Sequence, residues 1–322
     1  MNLLRMKGAQ RMKINMLKTN ELSLREGFEK FISKCKVKNL ADRTIDYYYK
    51  EFERFTKYLK GNPALNEITT EVIEGYTIYL KNETGANEIT IASYMRAVRA
   101  IFYYLMKMGY MDSFMITIPK AVKKVKETYT DEELKVLLKK PNLSKCSFTE
   151  YKTWVYINYL LATGNRISTV INLKIKDLDF DNMLIKLTTT KNKRQQIIPM
   201  AQSLKPILVE YLEIRGGNAE DYVFCTETGA QAKIRTMEDN LKYYNHKRGI
   251  SKTSSHLFRH TFAKTWILNG GDIFRLQKML GHSDLSVVKE YVSMFSNDLV
   301  LDFDKYNPLD KLVKSDKIIK MK

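Results

Sequence analysis

The stretch SSHLFRHTFAKTW, residues 254–266, gathers His256, Arg259 and His260 on the first turns of what reads as a helix, in a chain with only four histidines. Residues three or four apart share a helical face, so His256 and Arg259 can act on one group. Further candidates are spread along the chain. Arg166 follows a helix-ending glycine in ATGNR, and Lys191 sits in the polar turn TTKNKRQ. His282 follows Gly281 in MLGHS, and Tyr291 comes soon after in SVVKEYVSM.

Several chemistries fail on these residues. Two histidines at i and i+4 can share a zinc ion, but a hydrolytic zinc motif carries Glu after the first histidine, where this chain has Leu257. No GxxxxGK[ST] run is present, and TGNR is too short to cradle a triphosphate. No serine or cysteine sits in a nucleophile elbow, and the carboxylates are scattered rather than paired for metal ions. What remains is a set of cations and one phenol. A phosphodiester under attack gathers charge on its non-bridging oxygens, and two guanidiniums with imidazole donors can stabilise that charge without a metal or any cofactor. Tyrosine can be the nucleophile, provided that a base or a cationic pocket offsets its reference pKa near 10. Singly, each residue has a plainer reading. Tyr291 is one of 20 tyrosines and fits a core, His282 fits a helix cap, and Arg166 fits an ordinary helix-end charge.

The elements that would position these groups fall into two kinds. The first part reads as helices: LSLREGFEKFISKCK, DRTIDYYYKEFERFTKYLKG with Gly61 as its stop, TTEVIEGYTIYLK, and NEITIASYMRAVRAIFYYLMKMG stopping at Gly109. Arg96 and Arg99 lie three apart on the last of these, which suits a solvated face or a helix laid along phosphates. PKAVKKVKE, residues 119–127, reads as a basic linker, after which Thr130 and Glu133 have capping-box spacing. The second part is mixed. A helix through TEYKTWVYINYLLATG ends at Gly164. KDLDFDNMLIKLTTTKNKRQQIIPM then alternates like a small three-stranded antiparallel sheet with turns at Asp181–Asn182 and at the lysine run. Helices resume in AQSLKPILVEYLEIRGG, RTMEDNLKYYNHKRG, the opening stretch, and GGDIFRLQKMLGHSDLSVVKEYVSMF, the last split at Gly281.

Composition sets the class of partner. At 322 residues the chain can bury a core in two domains, and 44% hydrophobic residues make disorder a poor default. The net charge of +18 is shared by both halves, so a polyanion is the natural partner, although a lysine-rich solvated surface would give the same number. Cys35, Cys146 and Cys225 are odd in number and far apart, which fits reduced thiols. No apolar run resembles a signal peptide or a membrane span, and a cytoplasmic, nucleoid-associated protein is expected.

Taken in order and spacing, ATGNRISTVINLKIKDLDF, TTKNKRQQIIPM, SSHLFRHTFAKTW and MLGHSDLSVVKEY resemble the motifs of the tyrosine recombinases, the integrase family that includes lambda integrase and the Xer-type enzymes. FISKCKVKNLADRTIDYYYKEFERFTKYL and ITIASYMRAVRAIFYYLMKMGYM resemble that family's helical core-binding domain. The resemblance covers about residues 20–300. It implies a mainly α protein with a small antiparallel β-sheet. Residues 1–14 would be a basic extension, 15–118 an α-helical core DNA-binding domain, 119–127 a basic linker, 128–298 a mixed α+β catalytic domain and 299–322 a tail.

The resemblance also assigns roles. Arg166 and Arg259 would grip the scissile phosphate, and Lys191 would protonate the departing 5′ oxygen. His256 would accept the tyrosine proton or bind the phosphate, His282 would hydrogen-bond a non-bridging oxygen, and Tyr291 would form a 3′-phosphotyrosine. His260 reads as supporting structure. Two departures stand out: Thr169 holds a place usually acidic in relatives, and the lysine turn lacks its usual glycine, which leaves Lys193 as a rival to Lys191.

The implied function is site-specific cutting and rejoining of double-stranded DNA at paired recombination sites by a homotetramer, with accessory DNA-bending or directionality factors and no need for metal or ATP. Arg96, Arg99, Lys120, Lys123, Lys124 and Lys126 would contact backbone phosphates. No arm-site domain is expected before residue 20, which favours a simple integrase or a Xer-like resolvase. The apolar tail with Leu299, Phe303 and Leu309 would dock on its own domain or on a neighbouring protomer. Two other classes share these residues: a non-catalytic DNA-binding regulator, and a topoisomerase or hairpin-forming relative.

Overall fold

The computed structural model describes residues 22–121, 127–188 and 195–281. The chain divides into two compact units, Met1–Lys124 and Val125–Lys322. The first holds four α-helices among its described residues: α1 (Leu24–Val37), α2 (Asp42–Leu59), α3 (Thr70–Glu83) and α4 (Glu88–Lys107). Ser23 opens α1 through a capping box, in which its hydroxyl accepts the Glu26 N–H at 3.3 Å and the Glu26 carboxylate accepts the Ser23 N–H at 2.9 Å. Aromatic rings fill the core. Phe28 stacks on Phe52 at 3.8 Å between centroids, and Phe55 meets Tyr76 and Phe102 edge-on at 4.9 and 5.5 Å. α2 stops earlier than its glycine suggests: it ends at Leu59, and Lys60 takes the left-handed turn with φ of 56°. Packing of Phe52 and Phe55 fixes where the helix must leave the core, and Lys60 bears a backbone cost of roughly 1–2 kcal/mol for standing there.

The second unit opens with α5 (Asp131–Leu137), capped by the Thr130–Glu133 box that its sequence spacing implies. Its central element is α6 (Phe148–Thr163), where Tyr151, Val155, Tyr156, Tyr159 and Leu160 are all buried. A helix apolar around most of its circumference belongs inside, and α8 (Leu204–Arg215), α9 (Ile234–Lys247) and α10 (Ser255–Leu268) pack on it. Between these lie the short α7 (Ile167–Val170) and an antiparallel sheet of β1 (Leu178–Asp179), β2 (Leu184–Leu187) and β3 (Gln196–Pro199), in that spatial order. Period-two alternation turns Ile185, Leu187 and Ile198 inward and leaves Lys186 and Ile197 outward. The Asp181–Asn182 turn closes as its residues suggest, with the Asp179 carboxylate accepting the Asn182 N–H at 3.0 Å. The turn expected at the lysine run, and the helix expected after Gly281, lie outside the described residues. α11 (Ile273–Leu280) is the last described helix, capped by Asp272 at its start and by Gly281 at its end. Among the described residues no helix is long and apolar enough to cross a membrane. The fold is thus mainly α with a small antiparallel sheet.

One buried cation anchors the start of α6. Lys152, 3% exposed, donates to the Cys225 carbonyl at 2.7 Å, with the Phe148 ring 5.5 Å away. Burial pulls its pKa below the ordinary lysine value, so the unfolded chain holds this proton more tightly than the folded one. The charge therefore opposes folding at neutral pH, and that opposition fades as pH rises toward the lysine value. Lys152→Met should be at least as stable as the parent at neutral pH, with an advantage that narrows as pH approaches the lysine range. Urea unfolding at both pH values tests this; a loss at neutral pH that shrinks toward the lysine range would show that the ammonium is instead a net stabiliser.

Candidate active site

Gly164 is the point from which the site is built. It ends α6 in a left-handed conformation with φ of 62°, and a Cβ there would stand 2.6 Å from Phe262 Cδ1 and 2.9 Å from Leu280 Cδ2. Only a residue without a side chain lets α10 and α11 come this close to the end of α6. The chain runs on through Asn165, buried and donating to the Tyr159 hydroxyl at 3.0 Å, to the half-buried Arg166 at the N-cap of α7.

Arg259, on α10, is 4% exposed. Its Nη1 donates to the Gly164 carbonyl at 2.8 Å and its Nη2 to the Leu280 carbonyl at 2.7 Å. Arg166 Nη1 reaches the same Leu280 oxygen at 3.4 Å. Two guanidiniums far apart in sequence thus meet at one backbone oxygen. Gly164 and Leu280 stand at the C-terminal ends of α6 and α11, where helix dipoles place partial negative charge. Those ends hold the cations together against their repulsion. Such a pair grips an oxyanion through charge-assisted hydrogen bonds, and its donors suit an anion rather than a metal ion.

α10 brings His256 and His260 to the same region. Ser254 caps the helix by accepting the His256 N–H at 3.2 Å. His256 is exposed and sits one turn before Arg259, while His260 is half-buried. A polar lattice fixes this end of the helix. Asn245, fully buried, donates to the Tyr129 hydroxyl at 3.1 Å and to the Lys252 carbonyl at 2.7 Å. The Tyr129 N–H donates to Thr261 Oγ1 at 2.9 Å, and Lys252 Nζ donates to the Thr128 carbonyl at 3.0 Å and to Glu133 at 2.9 Å.

β3 reaches the site through Gln196. Its amide nitrogen donates to the carbonyls of Lys278 and, at 3.0 Å, Met279, in the last turn of α11. Gly281 ends that helix with φ of 62°, and a Cβ there would lie 2.9 Å from Gln196 Oε1. Neither Gln196 nor the Tyr129–Asn245–Lys252 lattice stands out in the sequence, because each joins segments far apart along the chain.

Of the residues singled out from the sequence, the structure brings Arg166 and Arg259 together and sets His256 on the same helix as Arg259. Lys191, its rival Lys193, His282 and Tyr291 lie outside the described residues, as do Lys123, Lys124 and Lys126. Their described neighbours are placed: Leu187 pairs with Gln196 across the lysine run, and Gly281 precedes His282. Thr169 is buried on α7, its N–H donating to the Arg166 carbonyl at 2.9 Å. In the first unit, Arg96 is exposed on α4 and Arg99 is half-buried with its guanidinium 5.9 Å from the Tyr103 ring centroid, while Lys120 is exposed.

Residues 127–297 match the family model described as the phage integrase family, and residues 23–124 match the phage integrase SAM-like domain. The chain is 29% identical over 286 residues to a protein named tyrosine recombinase from Pseudothermotoga lettingae, covering 86% of this chain and 94% of that one. It is 24% identical over 282 residues to tyrosine recombinase XerD of Staphylococcus epidermidis, covering 84% and 94%. Among solved structures, a lambda integrase (75–356) dimer bound to a COC′ core site shares the fold with a TM-score of 0.69 at 17% identity, over 84% of this chain and 95% of that one. The Tn1549 transposon integrase in complex with transposon right end DNA does so with a TM-score of 0.70 at 18% identity, over 84% and 94%.

Two glycines with similar backbone and different surroundings test the close approach at α6. Gly164→Ala should lose about 1–2 kcal/mol from its positive φ, and more from displacing Phe262 and Leu280. Gly249→Ala, with φ of 76° and open space around its Cβ, should lose the backbone part alone. Equal losses in urea unfolding would show that the three helices have room to spare at Gly164.

Proposed function

The chain belongs to the phage integrase family, and from that premise we propose a site-specific recombinase that cuts and rejoins double-stranded DNA through a 3′-phosphotyrosine. The observation that carries this reading is the meeting of Arg166 and Arg259 at one oxygen. Beside that oxygen the two guanidiniums can receive the non-bridging oxygens of a scissile phosphate.

The proposed reaction balances without an external energy source. The Tyr291 oxygen attacks phosphorus, its proton passing to His256. The bond from phosphorus to the 5′ oxygen breaks, and Lys191 supplies the proton to that leaving group. Arg166, Arg259 and His282 stabilise the charge on the non-bridging oxygens. Exchange of one phosphoester for another conserves the bond energy, so rejoining by a 5′ hydroxyl needs no ATP. Since the side chains supply the positive charge, no metal ion is required. Thr169 holds the place where the resemblance implies an acidic residue, which in this reading changes the rate and not the chemistry.

Residues 15–118 are proposed to bind DNA and residues 128–298 to carry the reaction, joined by the basic linker 119–127. Arg96, Arg99, Lys120, Lys123, Lys124 and Lys126 would contact phosphates, giving an affinity that falls steeply with salt and carries no sequence information. The acting form is proposed to be a homotetramer on two duplexes, with the apolar tail after residue 298 docking on its own domain or on a neighbouring protomer.

The test incubates the protein with a nicked target duplex in EDTA. A protein–DNA band that survives denaturation is expected, and Tyr291→Phe should abolish it. Arg166→Ala and Arg259→Ala should each slow its formation by about 10²–10³-fold. A bound site with no covalent band would overturn the proposal in favour of a DNA-binding regulator. A covalent band with supercoil relaxation, but no exchange between two labelled duplexes, would overturn it in favour of a topoisomerase.

A further inference from the structure

We propose that Gln196 is a positioning residue that sets the arginine pair by holding the end of α11, an inference that rests on the phosphate-gripping role of Arg166 and Arg259. A helix leaves its last carbonyls without partners inside the helix, and something else must satisfy them. At the end of α11 the partners come from several parts of the chain. Gly281 N–H takes the Lys278 carbonyl at 3.0 Å. Gln196, from β3, takes the carbonyls of Lys278 and Met279. Arg166 and Arg259 take that of Leu280.

A primary amide suits the place. It offers two N–H groups on one nitrogen, enough for two carbonyls one residue apart. The Gln196 backbone is pinned in turn, since its residue pairs with Leu187 in the β2–β3 ladder. The α11 terminus is thereby referred to the sheet, which is fixed in the core through Ile185, Leu187 and Ile198. Gly281 completes the fit, because Gln196 Oε1 occupies the space that a side chain on residue 281 would need.

The consequence passes to the arginines through one oxygen. Arg259 is held by two carbonyls, one on α6 and one on α11, so a shift of α11 turns its guanidinium about the Gly164 contact. Arg166 has its contact to the same Leu280 oxygen. Without the Gln196 amide, the last turn of α11 is no longer tied to the sheet at Lys278 and Met279. A displacement of about 1 Å in a gripping group is enough to slow a reaction about 10²-fold. The effect of Gln196 runs through where Leu280 presents its carbonyl.

The test separates misplaced arginines from general damage. Single-turnover cleavage by the full chain is measured on a duplex with an ordinary scissile phosphate, and on one in which a methyl group replaces a non-bridging oxygen. The methylphosphonate has no charge for the guanidiniums to balance, so a defect that acts through them shrinks on it. Gln196→Met, which keeps the length and removes the donors, should cleave the phosphodiester about 10–100-fold slower and recover most of that loss on the methylphosphonate. Gln196→Glu keeps the shape but sets acceptors against carbonyls, and should be at least as slow on the phosphodiester. Equal losses of Gln196→Met on both substrates, or parent-like cleavage of the phosphodiester by Gln196→Glu, overturn the inference. Arg166→Ala run in parallel should show the same relief. If it does not, the phosphate-gripping reading of the arginines fails, and that outcome is separate from the result for Gln196.

Discussion

The carbonyl of Leu280 accepts hydrogen bonds from two guanidiniums, and the rest of the second unit is arranged so that this can happen. Bringing like charges together at a partly buried place is unfavourable unless partial negative charge is already fixed there. Two helix ends supply it, with the Gly164 carbonyl closing α6 and the Leu280 carbonyl closing α11. In the proposed reaction neither oxygen would have to be desolvated afresh for a phosphate, because the polar groups are already oriented. The cost of assembling them is met in folding, by the burial of α6 and by the packing of Phe262 and Leu280 on Gly164.

Rigidity at the site comes from contacts that never reach it. The Tyr129, Asn245 and Lys252 lattice fastens the start of the second unit to the segment leading into α10, the helix that carries His256. The buried Asn245 amide nitrogen has both of its hydrogen bonds, and removing their acceptors would leave it unpaired at a cost. The sheet does similar work from the other side. It is small, yet Ile185 and Ile198 root it in the core, and Gln196 carries that fixed position across to α11.

How much of this was legible in the sequence follows from the range of each interaction. Local devices were readable: the Thr130–Glu133 box, the glycine stop of α6, the Asp181–Asn182 turn and the alternation of the strands all depend on neighbours within a few residues. The arginine pair was readable as two separate candidates, one after a helix stop and one on a helix face. Their meeting was not, because it happens at a backbone oxygen, and backbone oxygens have no letter in a sequence. Gln196 was missed for the same reason, since its partners are carbonyls 82 and 83 residues further on. α7 is too short to show a period. At Lys60 the local signal misled, because glycine was available one residue later and packing chose the lysine.

An acceptor made of backbone responds to genetic change differently from one made of side chain. Exchanging the leucine at position 280 for another residue alters the packing on Gly164 but leaves the oxygen in being. Adding or removing one residue anywhere in Ile273–Leu280 would rotate everything beyond it by about 100° around the helix axis and carry that oxygen off both guanidiniums at once. Along this short helix the exposed positions should therefore drift in spelling, with Leu276 and Leu280 held apolar by their burial and the length held constant.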